Sequence, residues 1–295
     1  MKIVNIIYFD DINNLRYFWE RDWLKEIFHN YDKIKYNFNK YEYGKKYENP
    51  ILIVNKKNMK YINNFLDKPF MIIHLGDEYL NENIEIYKNK NCIHIFRNCL
   101  RPELQNNNKI TQFPLGYKQD MFTDKLSEHS MNNNNRKYIW SFCGRLNTNN
   151  RSVIINNIKS IQPNYIHTIS KWNDKKSIDS YNYKKILENT LIIPCPMGNK
   201  SIDTFRLCEA LECGCIPITN KYNKLLCDKK LDYHELLFGK NPIPLVDNME
   251  LELCDKINEI LSSDFEKKRK NINIWYLNYK KQLIHKINEI VFTKF

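Results

Sequence analysis

The chain has 295 residues, a formal net charge of +12, and is 42% hydrophobic and 13% aromatic. It is too long for one ordinary core and apolar enough for two of about 120–150 residues each, which excludes a wholly disordered chain. No apolar run approaches the roughly 18 residues of a membrane span, and the start, Met1 to Ile7 leading into Asp10-Asp11, is too short for a signal peptide. In the first half, Ile3–Phe9, Ile51–Asn55, Phe70–Leu75, Cys92–Phe96 and Ile110–Phe113 read as short buried strands. Asn14–His29 reads as a helix with Leu15, Phe18, Trp19, Trp23 and Ile27 near one face. Strands separated by helices predict a parallel sheet covered on both sides. The polar segment Thr123–Lys137, with its run Asn132 to Asn135, reads as a linker.

A second series follows. Tyr138–Cys143, Tyr165–Ile169, Leu191–Pro194, Cys215–Thr219 and Ile243–Val246 read as strands. Arg151–Ser160, Tyr181–Glu188, Asp203–Cys213 and Glu250–Leu261 read as helices, and an amphipathic stretch, Phe265–Ile290, closes the chain. The expected division is residues 1–125, residues 136–264, and a closing helix over 265–295 that packs back toward the first domain. Two such α/β domains place a ligand cleft between them, at the carboxyl ends of the strands. Nine cysteines, an odd number without a C-x-x-C pair, read as buried small hydrophobes in a reducing compartment rather than as disulfides or a zinc site. Asn, Lys and Ile dominate while alanine occurs once, at Ala210. That skew fits drift in a very AT-rich genome, such as that of a giant virus or certain protists. It makes the few glycines informative, and Gly76, Gly116, Gly144, Gly198 and Gly214 all stand where apolar runs end.

The segment Leu187 to Ile218 carries most chemistry. It reads strand, loop, helix, glycine stop, strand. The loop Pro194–Ile202 delivers the chain to a helix N-terminus, where free N–H groups and the dipole favour an anion such as a diphosphate. Ser201 or Asp203 is positioned to cap that helix, and Gly214 to end it. Arg206 and Glu209, three apart, share a face. From there Arg206 can grip a phosphate in bidentate fashion and Glu209 can accept from ribose hydroxyls. The same spacing also fits a surface ion pair, which is worth little.

Thr204-Phe-Arg-Leu-Cys-Glu-Ala-Leu-Glu-Cys-Gly-Cys-Ile-Pro-Ile218 resembles the donor-site signature of the exostosin-like glycosyltransferases, S-x-R-x-x-E-A-L-x-x-G-C-I-P-V. Thr204 stands at its Ser position and Ile218 replaces Val. Trp140-Ser-Phe-Cys-Gly-Arg-Leu146 with Arg151 resembles the family's F-x-G-R loop. Ile73-His-Leu-Gly-Asp-Glu-Tyr79, Ile95-Phe-Arg-Asn98 and Phe113-Pro-Leu-Gly-Tyr117 resemble, in order, elements of the ribitol xylosyltransferase branch, with Cys99 where an aromatic is expected. The resemblance implies a GT-B fold, two facing Rossmann-like α/β domains with a cleft between them. It implies an inverting, metal-independent transferase that moves a sugar from a nucleotide sugar, UDP-linked, to a glycan or other hydroxyl acceptor, without a cofactor. No Asp-x-Asp motif is present to hold a divalent ion. The donor-binding set it implies is Gly144, Arg145, Arg151, Ser201, Asp203, Thr204, Arg206 and Glu209. Leaving-group charge then falls to Arg145, Arg206 and the helix N-terminus. An inverting transfer needs a general base. Asp77 or Glu78, after Gly76, is the first choice, and Asp10, Asp11, His74 and Arg97 are further cleft candidates.

Two other readings compete. A fucosyltransferase-like GT-B enzyme shares the Gly-x-x-Pro strand, but Phe205 to Glu209 lacks the Tyr-x-x-Glu-Lys core it would need. A basic nucleic-acid-binding protein fits the net charge, yet the lysines are spread along the chain. The tight run Lys267-Lys268-Arg269-Lys270 reads as a solvated helix face, and no nucleic-acid-binding signature appears. The expectation is therefore no nucleic-acid partner and no membrane span, in a cytoplasmic setting, or in a viral factory if the source is a virus.

Overall fold

The computed structural model describes residues 1–9, 16–121, 135–146, 150–171, 174–198, 200–222 and 232–295, with the backbone alone for 16–18. The chain divides into two compact units, Met1–Leu115 with Tyr279–Phe295, and Gly116–Asn278. The boundary falls before the polar segment expected as linker, of which residues 123–134 lie outside the described set, as do Asp10, Asp11 and Cys227.

The first unit is a six-stranded parallel sheet in the order β2-β1-β3-β4-β5-β6. Its strands are β1 (Lys2–Tyr8), β2 (Ile34–Lys40), β3 (Pro50–Val54), β4 (Phe70–His74), β5 (Cys92–Arg97) and β6 (Ile110–Gln112). β3 and β4 are buried along their whole length, which is why they read as unbroken apolar runs. The sequence reading misses β2. Its Ile-Lys-Tyr-Asn-Phe-Asn-Lys alternates at period two, burying Ile34 and Tyr36 and turning polar residues outward, as an edge strand does. Crossover helices are largely absent: α1 (Arg16–Ile27) joins β1 to β2, but the later connections use 3₁₀ turns at Met59–Phe65, Glu85–Lys88 and Pro102–Leu104. These connections are short and rich in asparagine, a poor helix former.

The second unit is a five-stranded parallel sheet in the order β11-β10-β9-β7-β8. Its strands are β7 (Tyr138–Arg145), β8 (Asn164–Ile169), β9 (Thr190–Cys195), β10 (Ile216–Asn220) and β11 (Leu245–Val246). Around them stand α2 (Arg151–Ile158), α3 (Ser180–Glu188), α4 (Phe205–Glu212), α5 (Tyr233–Phe238) and α6 (Met249–Ser262). Both sheets open with the same doubly wound order, second strand, first, third, fourth, fifth. The direction of winding therefore reverses between β1 and β3, and again between β7 and β9; ligands of such sheets bind outside the carboxyl ends at that point.

The closing helix α7 (Phe265–Lys294) contributes to both units. In the second unit Tyr276 donates to Glu212 at 2.8 Å, and Arg269 donates to the Gly214 carbonyl at 3.4 Å. Lys267, Lys268 and Lys270 are exposed or half-exposed, as expected of a solvated face, while Arg269 is buried and turns inward to hold the end of α4. In the first unit Lys280 pairs with Glu26 at 2.8 Å, and the Tyr36 hydroxyl donates to Asn288 at 3.0 Å. The eight described cysteines are all free, six of them buried.

Two buried histidines give the fold a pH dependence. Burial drives His94 down to about 3, helped by Lys294, Lys286 and Lys109, and drives His234 down to about 4. Both values lie below the ordinary one near 6.5, so the unfolded chain takes up the protons first. The stability they contribute is full above about pH 6.5 and is lost as the pH falls toward 4, at about 1.4 kcal/mol per pH unit for each. Thermal melts from pH 7.5 to 4.5 should show this fall, and the double variant His94→Gln/His234→Phe should flatten it.

Candidate functional site

In the second unit the reversal point lies between β7, which ends in Gly144-Arg145, and β9, which ends at Cys195. The loop after β9 is drawn in by a hydrogen bond from the Gly198 amide to the Ser201 carbonyl, 2.8 Å. The helix cap differs from expectation. Ser201 accepts the Asp203 amide at 3.1 Å, and both are buried ahead of the N-cap position. The N-cap is Thr204, in extended backbone and with no side-chain cap bond; its Oγ1 is buried without a partner. At the other end Gly214 stops the helix as expected, at φ +65°, with its amide on the Leu211 carbonyl and the Cys215 amide on the Ala210 carbonyl.

Arg206 leaves the first turn of α4 and lies back on β7. Nη2 donates to the Cys143 carbonyl at 2.9 Å, and the guanidinium sits 4.7 Å from the Phe142 ring centroid. Gly144 makes this approach possible. Its φ is +149°, and a Cβ placed there would stand 2.8 Å from Nη2 of Arg206. In this pose the guanidinium has its Nε buried and without a partner. Glu209, one turn on, is 5% exposed and accepts the Lys118 amide at 3.3 Å. Burial raises its carboxyl above the usual range, while Arg206, that amide and the Tyr183 hydroxyl pull the other way. No ion pair joins Arg206 and Glu209, so the surface-pair reading of their spacing is overturned.

Among the remaining members of this set, Arg151 is engaged by backbone carbonyls. Arg151 donates through Nε to the Met197 carbonyl at 3.1 Å and through Nη1 to the Arg145 carbonyl at 3.4 Å. It ties the end of β7 to the loop after β9. Arg145 is half-buried beside it. Phe142, Tyr183 and Lys118 are the residues sequence reasoning missed. Phe142 stands inside the Gly-Arg motif as an ordinary strand aromatic, and nothing local marks Tyr183 or Lys118 as neighbours of Glu209.

In the first unit the carboxyl ends of β4 and β5 hold a buried polar chain. His74 Nε2 meets Glu82 at 3.0 Å and its Nδ1 meets the Tyr87 hydroxyl at 2.6 Å. Arg97, fully buried, donates to Tyr87 at 3.2 Å, to Asp77 at 2.8 Å and to the Cys99 carbonyl at 3.3 Å. Asp77 Oδ2 also takes Arg101 at 3.3 Å, and Oδ1 takes the amides of Asn81 and Glu82 at 3.0 Å each. Burial pushes the Tyr87 hydroxyl up to about 12. This corrects the expected role of Asp77. Both oxygens are filled and 1% of the residue is exposed, so it organises the loop rather than taking a proton from a ligand. His74 and Arg97 belong to the same closed network. Glu78, next in the chain, is half-buried.

Asp77→Asn should leave Arg97 buried beside a neutral group and cost about 3–5 kcal/mol of stability. Denaturant unfolding separates this from a base, whose loss would lower turnover and leave stability alone. Gly144→Ala should push the Arg206 guanidinium off Phe142. Calorimetry should then find UDP binding weakened about tenfold. A φ of +149° strains any residue with a Cβ, so thermal melts should also find the variant less stable, by about 1–3 kcal/mol.

Two solved structures share this architecture. The pneumococcal O-GlcNAc transferase GtfA, solved with UDP and GlcNAc, aligns at TM-score 0.51 and 12% identity over 82% of this chain and 56% of that one. The chain thus spans little more than half the length of that enzyme. An alpha1,3-fucosyltransferase aligns at TM-score 0.54 and 11% identity over 98% of this chain and 90% of that one. These likenesses show the fold, two parallel α/β units of the GT-B kind. No curated protein sequence matches the chain. Among the described residues no helix is long and apolar enough to cross a membrane. Residues 119–295, more than half of the chain and including the whole Arg206–Glu209 helix, match the RXYLT1 C-terminal domain, so this protein belongs to that family and carries the fold of the GT-B glycosyltransferases.

Proposed function

We propose that the protein is an inverting glycosyltransferase that needs no bound metal, taking a sugar from a UDP-sugar and passing it to a hydroxyl of a glycan. The observation that carries this reading is the Arg206 guanidinium, held over Phe142 at the N-terminus of α4 with its buried Nε unpartnered. A buried donor without an acceptor is costly, and Arg97 Nε shares that condition; at Arg206 the helix N-terminus beside it supplies a setting that a ligand oxygen would complete. The amides of the first helical turn point the same way, and together they suit a diphosphate. Glu209, one turn deeper, suits the ribose hydroxyls. The uridine assignment is supported by the pneumococcal neighbour, which holds UDP. The inverting, metal-free assignment is supported by the motif resemblance and by this arginine, which supplies the positive charge a departing diphosphate requires.

In a single displacement the acceptor oxygen bonds to the anomeric carbon as the bond from that carbon to phosphate oxygen breaks. The electron pair leaves with UDP, and the acceptor proton passes to a carboxylate. Asp77 is unsuited by its partners. Glu78 beside it is the base we assign, with Asp10 and Asp11, which follow the first strand in the sequence, as the competing pair.

Arg206 and Glu209 should separate by mutation. Arg206→Ala removes a contact that strengthens as the diphosphate gains charge, so it should lower kcat as well as donor affinity, by about 2–4 kcal/mol of transition-state stabilisation. Glu209→Gln removes contacts made equally in the bound and reacting states and should mainly raise the donor KM. Both are measured with chelator present. Full activity in Arg206→Ala would sink the assignment of this helix, and loss of UDP binding on adding chelator would sink the metal-free account.

A further inference from the structure

The second unit has an open groove of about 580 Å³ that none of the donor residues lines. It follows the outer strand β8 and the helix α3, reaching Tyr138 at the start of β7 and Asn189 just before β9. Its volume is that of a small-ligand site. Two tyrosines, Tyr138 and Tyr165, stand together in it with ring centroids 5.5 Å apart and planes tilted by 49°.

Lys137, Lys176 and Lys185 border the groove, and none forms an ion pair with a described carboxylate. Lys137 lies 5.2 Å from the Tyr138 ring centroid and Lys185 4.1 Å from that of Tyr181, so two ammonium groups rest on aromatic faces. The lining's carboxylate, Asp179, offsets one of them. It caps α3, accepting the Asn182 amide at 2.8 Å and the Asn182 side-chain amide at 2.7 Å, and these bonds hold its carboxyl below the usual range and ionised. Three lysines against one carboxylate leave the groove positive at neutral pH. It also carries hydroxyl-recognising groups. Asn182 and Asn189 use their amide nitrogens on Asp179 and on the Lys185 carbonyl, at 2.7 and 2.8 Å, which leaves their side-chain oxygens as acceptors. Ser177 adds a hydroxyl.

We propose that this groove binds an anionic saccharide, apart from the donor residues, with its acidic groups on the three lysines and a sugar face on Tyr165. Aromatic faces and amide oxygens suit sugar rings and hydroxyls, and uncompensated lysines suit sulfate, phosphate or carboxylate substituents. A nucleic-acid strand fits less well. The tilted tyrosine pair offers no parallel faces for successive bases, and the three lysines ring one pocket instead of following a backbone. The inference concerns the class of glycan this chain holds and stands independently of the donor assignment, since it uses none of its residues.

The test is calorimetry on the full chain with a heparin-derived hexasaccharide, neutral maltohexaose, inorganic sulfate and a dT12 oligonucleotide. The acidic hexasaccharide should bind at least tenfold more tightly than each of the other three. Lys137→Gln/Lys176→Gln/Lys185→Gln and, separately, Tyr165→Ala should each weaken it at least tenfold while UDP binding stays unchanged. Hydrogen exchange on the wild-type chain should show protection by the hexasaccharide over residues 137–138, 164–169 and 176–189. Unchanged affinity in the triple lysine variant or in Tyr165→Ala, protection confined to other regions, or equal or tighter binding of sulfate, maltohexaose or dT12 would each overturn the proposal.

Discussion

Burial on both faces is the constraint from which the rest of this structure follows. Parallel strands such as Pro50–Val54, Phe70–His74 and Thr190–Cys195 are buried at every residue, so they leave little room along their length for unpaired polar chemistry. Polar side chains are displaced to the strand ends. There the chain turns away from the sheet, backbone groups lose their ladder partners, and left-handed residues such as Gly76 and Cys99 set the direction of the next segment. Both units accordingly concentrate their charged residues where β4, β5, β7 and β9 finish.

The two units resolve that concentration differently. In the first, Glu82, His74, Tyr87, Arg97, Asp77 and Arg101 form a continuous chain of hydrogen bonds, in which Arg97 Nε alone is buried without a partner. Such a network holds loops in one conformation, and removing one member exposes its neighbours to the full penalty of an unpaired buried charge. In the second, Arg206 Nε and Thr204 Oγ1 are buried and unpaired. A folded protein tolerates such groups where something else completes them. Both units hold buried unpaired groups; those of the second stand at a helix N-terminus, where free amides already favour an anion.

Much of this was legible before any coordinates. Runs rich in apolar residues located ten of the eleven strands, most plainly those buried on both faces such as β3, β4 and β9, whereas β2 hides its alternation among lysines and asparagines. Helical crossovers were overestimated in the first unit, where 3₁₀ turns suffice to carry the chain between neighbouring strands. The helix α4 was readable from its glycine stop and from the residues around it. The role of Asp77 was misjudged because adjacency to Gly76 says where a residue sits and nothing about what fills its oxygens. The contact of Gly144 with Arg206 has no local signal at all, since it joins residues 62 apart (206 − 144) through a missing Cβ.

That contact also depends on the far end of the same helix. An eight-residue helix is unstable by itself, so its direction must be imposed by its surroundings. At the C-terminus of α4, Arg136 donates to the Cys213 carbonyl at 2.8 Å and Arg269 to the Gly214 carbonyl at 3.4 Å. Two guanidinium groups thus meet the negative end of the dipole where carbonyls lack helical partners. Tyr276 fixes Glu212 in the last turn. With that end clamped, the first turn cannot swing, and Arg206 is held against Gly144 before any ligand arrives. A diphosphate binding there would not have to order the helix, and the free energy of its contacts is left for affinity and for the reacting bond.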